Sequence, residues 1–569
     1  EIVNKISKDN SDILVITFAD STSSEKTLEA VSQIKEKTKD CAKIGGMSAM
    51  VLDTKNLSDK EVVTYVSIAV VLCIIVLMLT LDSYIIPFIL LGNIGIAILY
   101  NMGTNLFLGD ISYITKAISA VLQLGVTTDF SIFLYKRYLK AKEECDNNED
   151  AMCLAIKDTF TAVIGSSLTT VAGFLALCTM RLTLGKDIGI VMAKGVIWGV
   201  ICVLTIFPSL ILTFDKLIQK TAHKQLLPEF HGFKKFTIKN YKTIFIVFLL
   251  LAIPAYFGYR HTEVYYNLDR SLPADLDSSI ANSELKDKYN IVSPEIILVS
   301  KDLKEDEIDE MVSRIKSLDG VDFVLSYNEL KEEGFNDELL TEDTKKLFES
   351  DTYEAIIVNS TYNIATDELN NQINEMQSII KQYDSKGILA GEGPLTNDLI
   401  TISNKDFNDV NYTSIAVIFI IMLFVLKSYT LPIILVSTIE FAILINMGIP
   451  YYTGTTIPFI ASIVIGTIQL GATIDYAILM TTKYLGERSS GKDKFEAIKV
   501  AMDHSVTSIM VSALCFFGAT FGVAIYSKLE MISSLCTLIS RGAIISMLVV
   551  IIILPSLLLM FDKIICKTT

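Results

Sequence analysis

The sequence predicts a mainly α membrane protein: two pseudo-symmetric helical bundles, 11 spans of an expected 12, with α/β domains facing outward. Three observations carry the prediction: an apolar composition, an internal repeat and a charge that is partitioned along the chain.

Of 569 residues, 51% are hydrophobic and the mean hydropathy is +0.47, too apolar for an ordinary soluble globule of this size. A helix crossing hydrocarbon needs roughly 17 to 25 apolar residues. Such stretches run over 62–80, 85–101, 117–136, 159–180, 188–213, 243–259, 412–427, 430–449, 457–482, 505–526 and 531–561.

Shifted by about 346 residues, the chain aligns with itself almost end to end, as duplicated transport bundles do. LDSYIIPFILL at 81–91 answers LKSYTLPIILV at 426–436, and the Asn-Met-Gly at 101–103 answers that at 446–448. QLGVTTDF at 123–130 answers QLGATIDY at 469–476, and FPSLILTFDKLI at 207–218 answers LPSLLLMFDKII at 554–565. The same shift carries the span at 243–259 to a position before residue 1, so about 100 residues and a twelfth span are expected upstream of Glu1.

The net charge of −15 is concentrated in 260–411, which holds 14 Lys and Arg against 33 Asp and Glu. That stretch has few spanning runs and reads as a soluble domain. Residues 214–242 are the reverse, with Lys216, Lys220, Lys224, Lys234, Lys235, Lys239 and Lys242 against Asp215 and Glu229. The positive-inside rule makes this connection cytoplasmic, together with the loop after 136 and the tail at 563–569. The expected organisation follows: an outward α/β domain at 1–60, a bundle at 61–213, the connection at 214–242, a span at 243–259, a second outward α/β domain at 260–411 and a second bundle at 412–562. In 353–391 the strand-like YEAIIVNS precedes the helical DELNNQINEMQSIIKQY and then GILAG. The same order is expected of DILVITFA, SSEKTLEAVSQIKEKTK and AKIGG in the first 50 residues, and of EIILVS, EDEIDEMVSRIKSL and DFVLSY at 295–326.

Signals for an enzyme are weak. The nine cysteines have no paired or metal-ligand spacing, and of these only Cys41 falls in an outward segment. His223 and His231 lie in the basic connection and His504 at the inner edge of a span. No G-x-x-x-x-G-K-[ST] loop occurs, which leaves an ion gradient as the driver. No cofactor, metal or nucleic acid is expected.

An ionisable residue deep in a span costs a few kcal/mol to insert, roughly 2.5 to 3.5 on insertion scales, so it is retained for a reason. Asp129 and Asp475 sit in corresponding spans of the two repeats and suit proton carriage, with Tyr476 placed to hydrogen-bond an acid; the bland alternative is a polar seam between helices. Lys194, before Gly195, answers Arg541, before Gly542; either the two cations pair with the carboxylates or they snorkel to the interface. Glu440 has no acidic counterpart and is expected to be a hydrogen-bonded structural acid rather than a one-sided site. Ser166 and Ser512 coincide at the repeat shift within small-residue runs; packing is their first reading and proton relay their second.

These residues resemble the resistance-nodulation-division superfamily and, within it, the MmpL-type transporters. The resemblance covers nearly the whole chain, and its most specific element is Gly-x-x-x-Asp-Tyr in the fourth span of each half, here Gly125 to Phe130 and Gly471 to Tyr476. It implies a proton relay in which each Asp meets the Tyr of the opposite half. Asp129 keeps Tyr476, but Asp475 faces Phe130, which has no hydroxyl, so an asymmetric site is expected. The resemblance further implies export of lipids, lipid-linked molecules or hydrophobic drugs handled by outward porter domains in a bacterial cell membrane. Oligomers or envelope partner proteins are further possibilities.

A second reading from another class is a non-transporting scaffold or accessory subunit for envelope assembly or protein export. A third is a sterol-sensing lipid-transfer protein, disfavoured by the lack of cysteine-rich outward domains.

Overall fold

In hydrocarbon a backbone must satisfy its hydrogen bonds within its own segment, so long apolar runs are driven into helices. A computed structural model describes residues 7–8, 11–39, 41–109, 111–223, 231–267, 272–289, 291–327 and 348–568. In order, its helices are α1 (Glu25–Thr38), α2 (Met47–Thr80), α3 (Ile86–Gly103), α4 (Tyr113–Glu144), α5 (Asn148–Ala176), α6 (Thr183–Lys220), α7 (His231–Lys239) and α8 (Tyr241–His261). They continue with α9 (Asp277–Tyr289), α10 (Glu305–Lys316), α11 (Asp367–Tyr383), α12 (Glu392–Leu426), α13 (Thr430–Thr453), α14 (Phe459–Ser489), α15 (Lys494–Tyr526) and α16 (Glu530–Thr568).

Among the described residues, 11 helices are long and apolar enough to cross a membrane: α2 to α6, α8 and α12 to α16. The chain is a multi-pass, mostly helical membrane protein. The helices outrun the hydropathy windows at several ends. Helix α2 begins at Met47 rather than at 62 and α12 at Glu392 rather than at 412, because their first turns keep helical backbone while carrying polar residues. Lys224 and Glu229 of the basic connection lie outside the described residues.

The chain divides into two compact units, Glu1–Asn56 with Tyr265–Ile402, and Leu57–Val264 with Ser403–Thr569. The first contains a four-stranded sheet of β1 (Ser293–Ser300), β2 (Val321–Leu325), β3 (Tyr353–Ser360) and β4 (Ile388–Gly391), ordered β2-β3-β1-β4 with antiparallel neighbours. Alternation along the strands buries Ile297, Val299, Ile356 and Val358 against Met311 and Ile315 of α10 and Ile373 and Met376 of α11. The two strand-helix-strand units read at 295–326 and 353–391 therefore interleave in one sheet as a split βαβ pair.

The first segment departs from its expected strands. Its helix forms as α1, capped by Ser24, whose Oγ accepts the Thr27 amide at 3.1 Å. DILVITFA contributes only the end of a two-residue strand, Ser11–Asp12, paired with Ser7–Lys8, and AKIGG contributes none. Leu14 and Val15 are 86% and 83% exposed. A β-rich composition forms a strand only where a ladder partner and a packed face exist, and no described strand pairs with 13–18. The segment is held instead to α9: Asn282 Oδ1 accepts the Gly46 amide at 2.8 Å, and Asp53, itself paired within the segment to Lys35 Nζ at 2.5 Å, accepts the Ser278 amide at 3.1 Å.

Glu295 on β1 is wholly buried, receives the Ser293 hydroxyl at 2.5 Å and leaves its Oε2 without a partner among the described residues. Gly391, at φ +141°, and Gly393 leave the room this carboxyl fills, since a Cβ on either would strike it. Burial, opposed by the Ser293 hydroxyl and aided by the Glu392 charge, raises its pKa from an ordinary 4.5 to about 8. The folded chain thus holds a proton that the unfolded chain releases. Its stabilising contribution is full below pH 4.5 and is lost as pH rises through about 8. Thermal melting of the full chain between pH 5 and pH 8 is expected to show this loss, and Glu295→Gln to remove that part of the slope.

Candidate functional site among the membrane helices

Asp129 lies midway along α4 and Asp475 midway along α14, each about one turn after the glycine of a Gln-Leu-Gly run, which leaves room where helices cross. Gly173 of α5 and Gly471 of α14 meet there, and a Cβ on Gly173 would lie 3.0 Å from the Gly471 Cα. This close approach lets α5 present its hydroxyls to Asp475. Thr169 donates to Asp475 Oδ1 and Thr170 to Oδ2, both at 3.4 Å, while Thr170 also reaches the Gly471 carbonyl at 3.0 Å. Ser166 stands beside the same carboxyl.

Asp129 is served differently. Ser512 of α15 stands beside it, and its Oδ1 is buried with no hydrogen-bond partner among the described residues. Asp129, Asp475 and the buried Tyr476 lie within electrostatic reach of one another. Phe130, at the position matching Tyr476, is equally buried at 3% exposure. The serines therefore cross over: the serine of each half stands beside the acid of the other. Register arithmetic pairs Ser166 with Ser512, but the crossing needs the fold.

Lys194 and Arg541 are not brought to the carboxylates. Lys194 Nζ donates to the Asn101 carbonyl at 2.9 Å and to Asn105 Oδ1 at 2.5 Å. Arg541 donates to Asn446 through Nε to Oδ1 and Nη2 to the carbonyl, both at 2.8 Å. The Asn-Met-Gly segments thus receive the cations. Beside them Asn101 donates to Gln123 and Asn446 to Gln469, each at 2.8 Å, and a Cβ on Gly195 or Gly542 would collide with these amides. This explains a glycine after each cation.

Glu440 of α13 lines a cavity of about 230 Å³ with Tyr256, Tyr259, Phe407, Asn411 and Ser462. The expected structural hydrogen bond is missing at its Oε1, which has no partner among the described residues.

Three features escaped sequence reasoning. Lys136, two turns beyond Asp129, donates to Ser508 of α15 at 3.1 Å. Asp215 accepts Tyr138, Lys142 and Asn148 at 3.2, 2.7 and 3.0 Å, and Asp562 accepts Tyr484 and Arg488 at 2.5 and 2.9 Å. Both of these acids sit in the repeated Phe-Asp-Lys, so the repeat contained a signal for them. The third feature, Glu61 and Asp406, was masked by spacing: a Lys-acid pair precedes a Tyr-x-Ser-Ile-Ala-Val run in each half, but the acid stands four residues before the tyrosine in one and six in the other.

The sequence itself has recognisable relatives. The family model described as MMPL family matches residues 4–230 and 291–565. The chain is 24% identical over 273 residues to the probable transport protein MmpL4 of Mycobacterium leprae and 25% identical over 269 residues to the siderophore exporter MmpL5 of Mycobacterium tuberculosis. Each match covers 46% of this chain but only 28% of the relative. A longer match, 23% identical over 532 residues, covers 84% of this chain and 68% of the apo-petrobactin exporter of Bacillus anthracis. With the family model matched over most of its length, the chain belongs to the MMPL family.

Proposed function

We propose that this chain is a proton-motive-force-driven exporter of lipids or other hydrophobic compounds, drugs included. In this reading Asp129 and Asp475 are the relay carboxylates and Tyr476 is their shared neighbour. The two helical bundles are pseudo-symmetric, the α/β domains are extracytoplasmic and the C-terminus is cytoplasmic. The observation that carries the reading is the gathering of two mid-span acids, one from each repeat, within electrostatic reach of each other and of Tyr476. The names of its relatives, one a siderophore exporter and one an apo-petrobactin exporter, support export as the class of activity.

The chemistry follows from the hydroxyls. An ionised Asp475 can only accept, here from Thr169 and Thr170, whereas a protonated one has an O–H to donate and one oxygen left free to accept, so proton binding rewrites the contact between α14 and α5. Asp129 starts with fewer partners, and the two sites are therefore unequal. Because the serines stand across the repeat boundary, a proton taken up in one half alters a helix of the other.

Reconstitution into liposomes with an imposed pH gradient, assayed with labelled lipids and lipophilic dyes, tests this reading. Gradient-dependent movement that collapses with a protonophore is expected. A folded chain that moves none of them, gradient or not, overturns it and favours the scaffold.

A further inference from the structure

Glu61 on α2 and Asp406 on α12 take comparable places, each following a lysine and shortly preceding the Tyr-x-Ser-Ile-Ala-Val run of its half, and are almost wholly buried, at 5% and 0% exposure. Glu61 accepts the Ser527 hydroxyl at 2.9 Å and the Lys528 amide at 3.0 Å. Asp406 accepts the Arg181 amide at 2.9 Å and the Leu182 amide at 3.1 Å. The two turns correspond as well, and each is held by the acid of the opposite half: Glu61 grips the turn between α15 and α16, Asp406 the turn leading from α5 into α6. Carboxylate contacts to backbone N–H groups are about twice as strong as neutral ones, and burial leaves these amides no water to turn to.

The gripped turns end the two helices that carry the relay hydroxyls. Helix α5 holds Ser166, Thr169 and Thr170 against Asp475, and α15 holds Ser512 against Asp129. A helix is stiff over such lengths, so a change at the carboxyl is delivered to its end. We propose that Glu61 and Asp406 are positioning residues that tie α2 and α12 to α15 and α5, so that proton binding at one relay acid moves the gripping helix of its own half through a helix of the other. Protonation at Asp475 acts through α5 and Asp406 on α12; protonation at Asp129 acts through α15 and Glu61 on α2. The proposal rests on the proton-relay reading and adds the residues that convert it into movement.

The test uses the full chain in liposomes with pyranine trapped inside, an imposed pH gradient and a lipophilic dye as cargo. In the wild type, proton entry is expected to rise with dye. In Asp406→Ala and Glu61→Ala, proton entry should continue without responding to dye, while dye transport falls about tenfold, a typical size for a lost coupling. Asp406→Asn retains one acceptor oxygen and should fall between; it also serves if the alanine variant does not fold. Variants that keep both flows in the wild-type ratio overturn the proposal. So does loss of both flows together with a lowered melting temperature, which marks a purely structural role. A folded wild type with no dye-coupled proton entry removes the relay reading and this proposal with it, an outcome distinct from the other two.

Discussion

Asp475→Asn is expected to reduce gradient-driven transport to the background of protein-free vesicles, and Asp129→Asn to do the same. Asparagine preserves the size of the side chain and most of its contacts, including an oxygen able to accept from Thr169 or Thr170. What it removes is the capacity to bind and release a proton. The double variant should be no worse than either single one, because residues that act as one unit show non-additive losses. Energy-independent equilibration of dye should survive in all three. Rates measured with and without the gradient check each part, and additive partial losses would point to two independent pathways.

The second large effect concerns packing. Gly173→Val is expected to abolish transport and lower the melting temperature, because the nearest atom facing the new Cβ is the Gly471 Cα, at 3.0 Å, and a backbone atom cannot rotate away. Overpacking of this kind costs about 1 to 3 kcal/mol. The functional loss should exceed the loss of stability. Separating α5 from α14 lengthens the Thr169 and Thr170 bonds to Asp475, which already stand at 3.4 Å. Gly165→Ala on the same helix is the control: its Cβ would meet only Val425, at 3.5 Å, an ordinary contact. That change should stay within about 0.5 kcal/mol. Transport assays and thermal melts of both variants separate a specific contact from a general dislike of larger residues on α5.

What could be read from the sequence followed the cost of each feature. Spans and repeat were legible because uninterrupted apolar runs and paired motifs leave strong, regular signals, and the mid-span acids stood out because charge in hydrocarbon is expensive. Helix starts were not legible: the first turns of α2 and α12 are polar, and hydropathy cannot separate a polar helix from a loop. The strand expected at DILVITFA failed for the reason that β-propensity mostly measures neighbours, which a sequence does not name. Partners of buried charges were equally hidden. Lys194 and Arg541 turned to Asn-Met-Gly segments some 90 residues away instead of to the acids, and Glu61 and Asp406 found backbone amides of distant turns. Backbone amides carry no residue identity, so no motif announces them.

The central claim is that Asp129 and Asp475 bind and release the transported protons. Infrared difference spectroscopy across a pH titration of the membrane-embedded full chain addresses it most directly. The wild-type spectrum minus that of the Asp129→Asn/Asp475→Asn double variant should contain a carboxyl carbonyl band that grows on acidification, with each single variant losing part of it. A difference spectrum with no titrating carboxyl band would contradict the account.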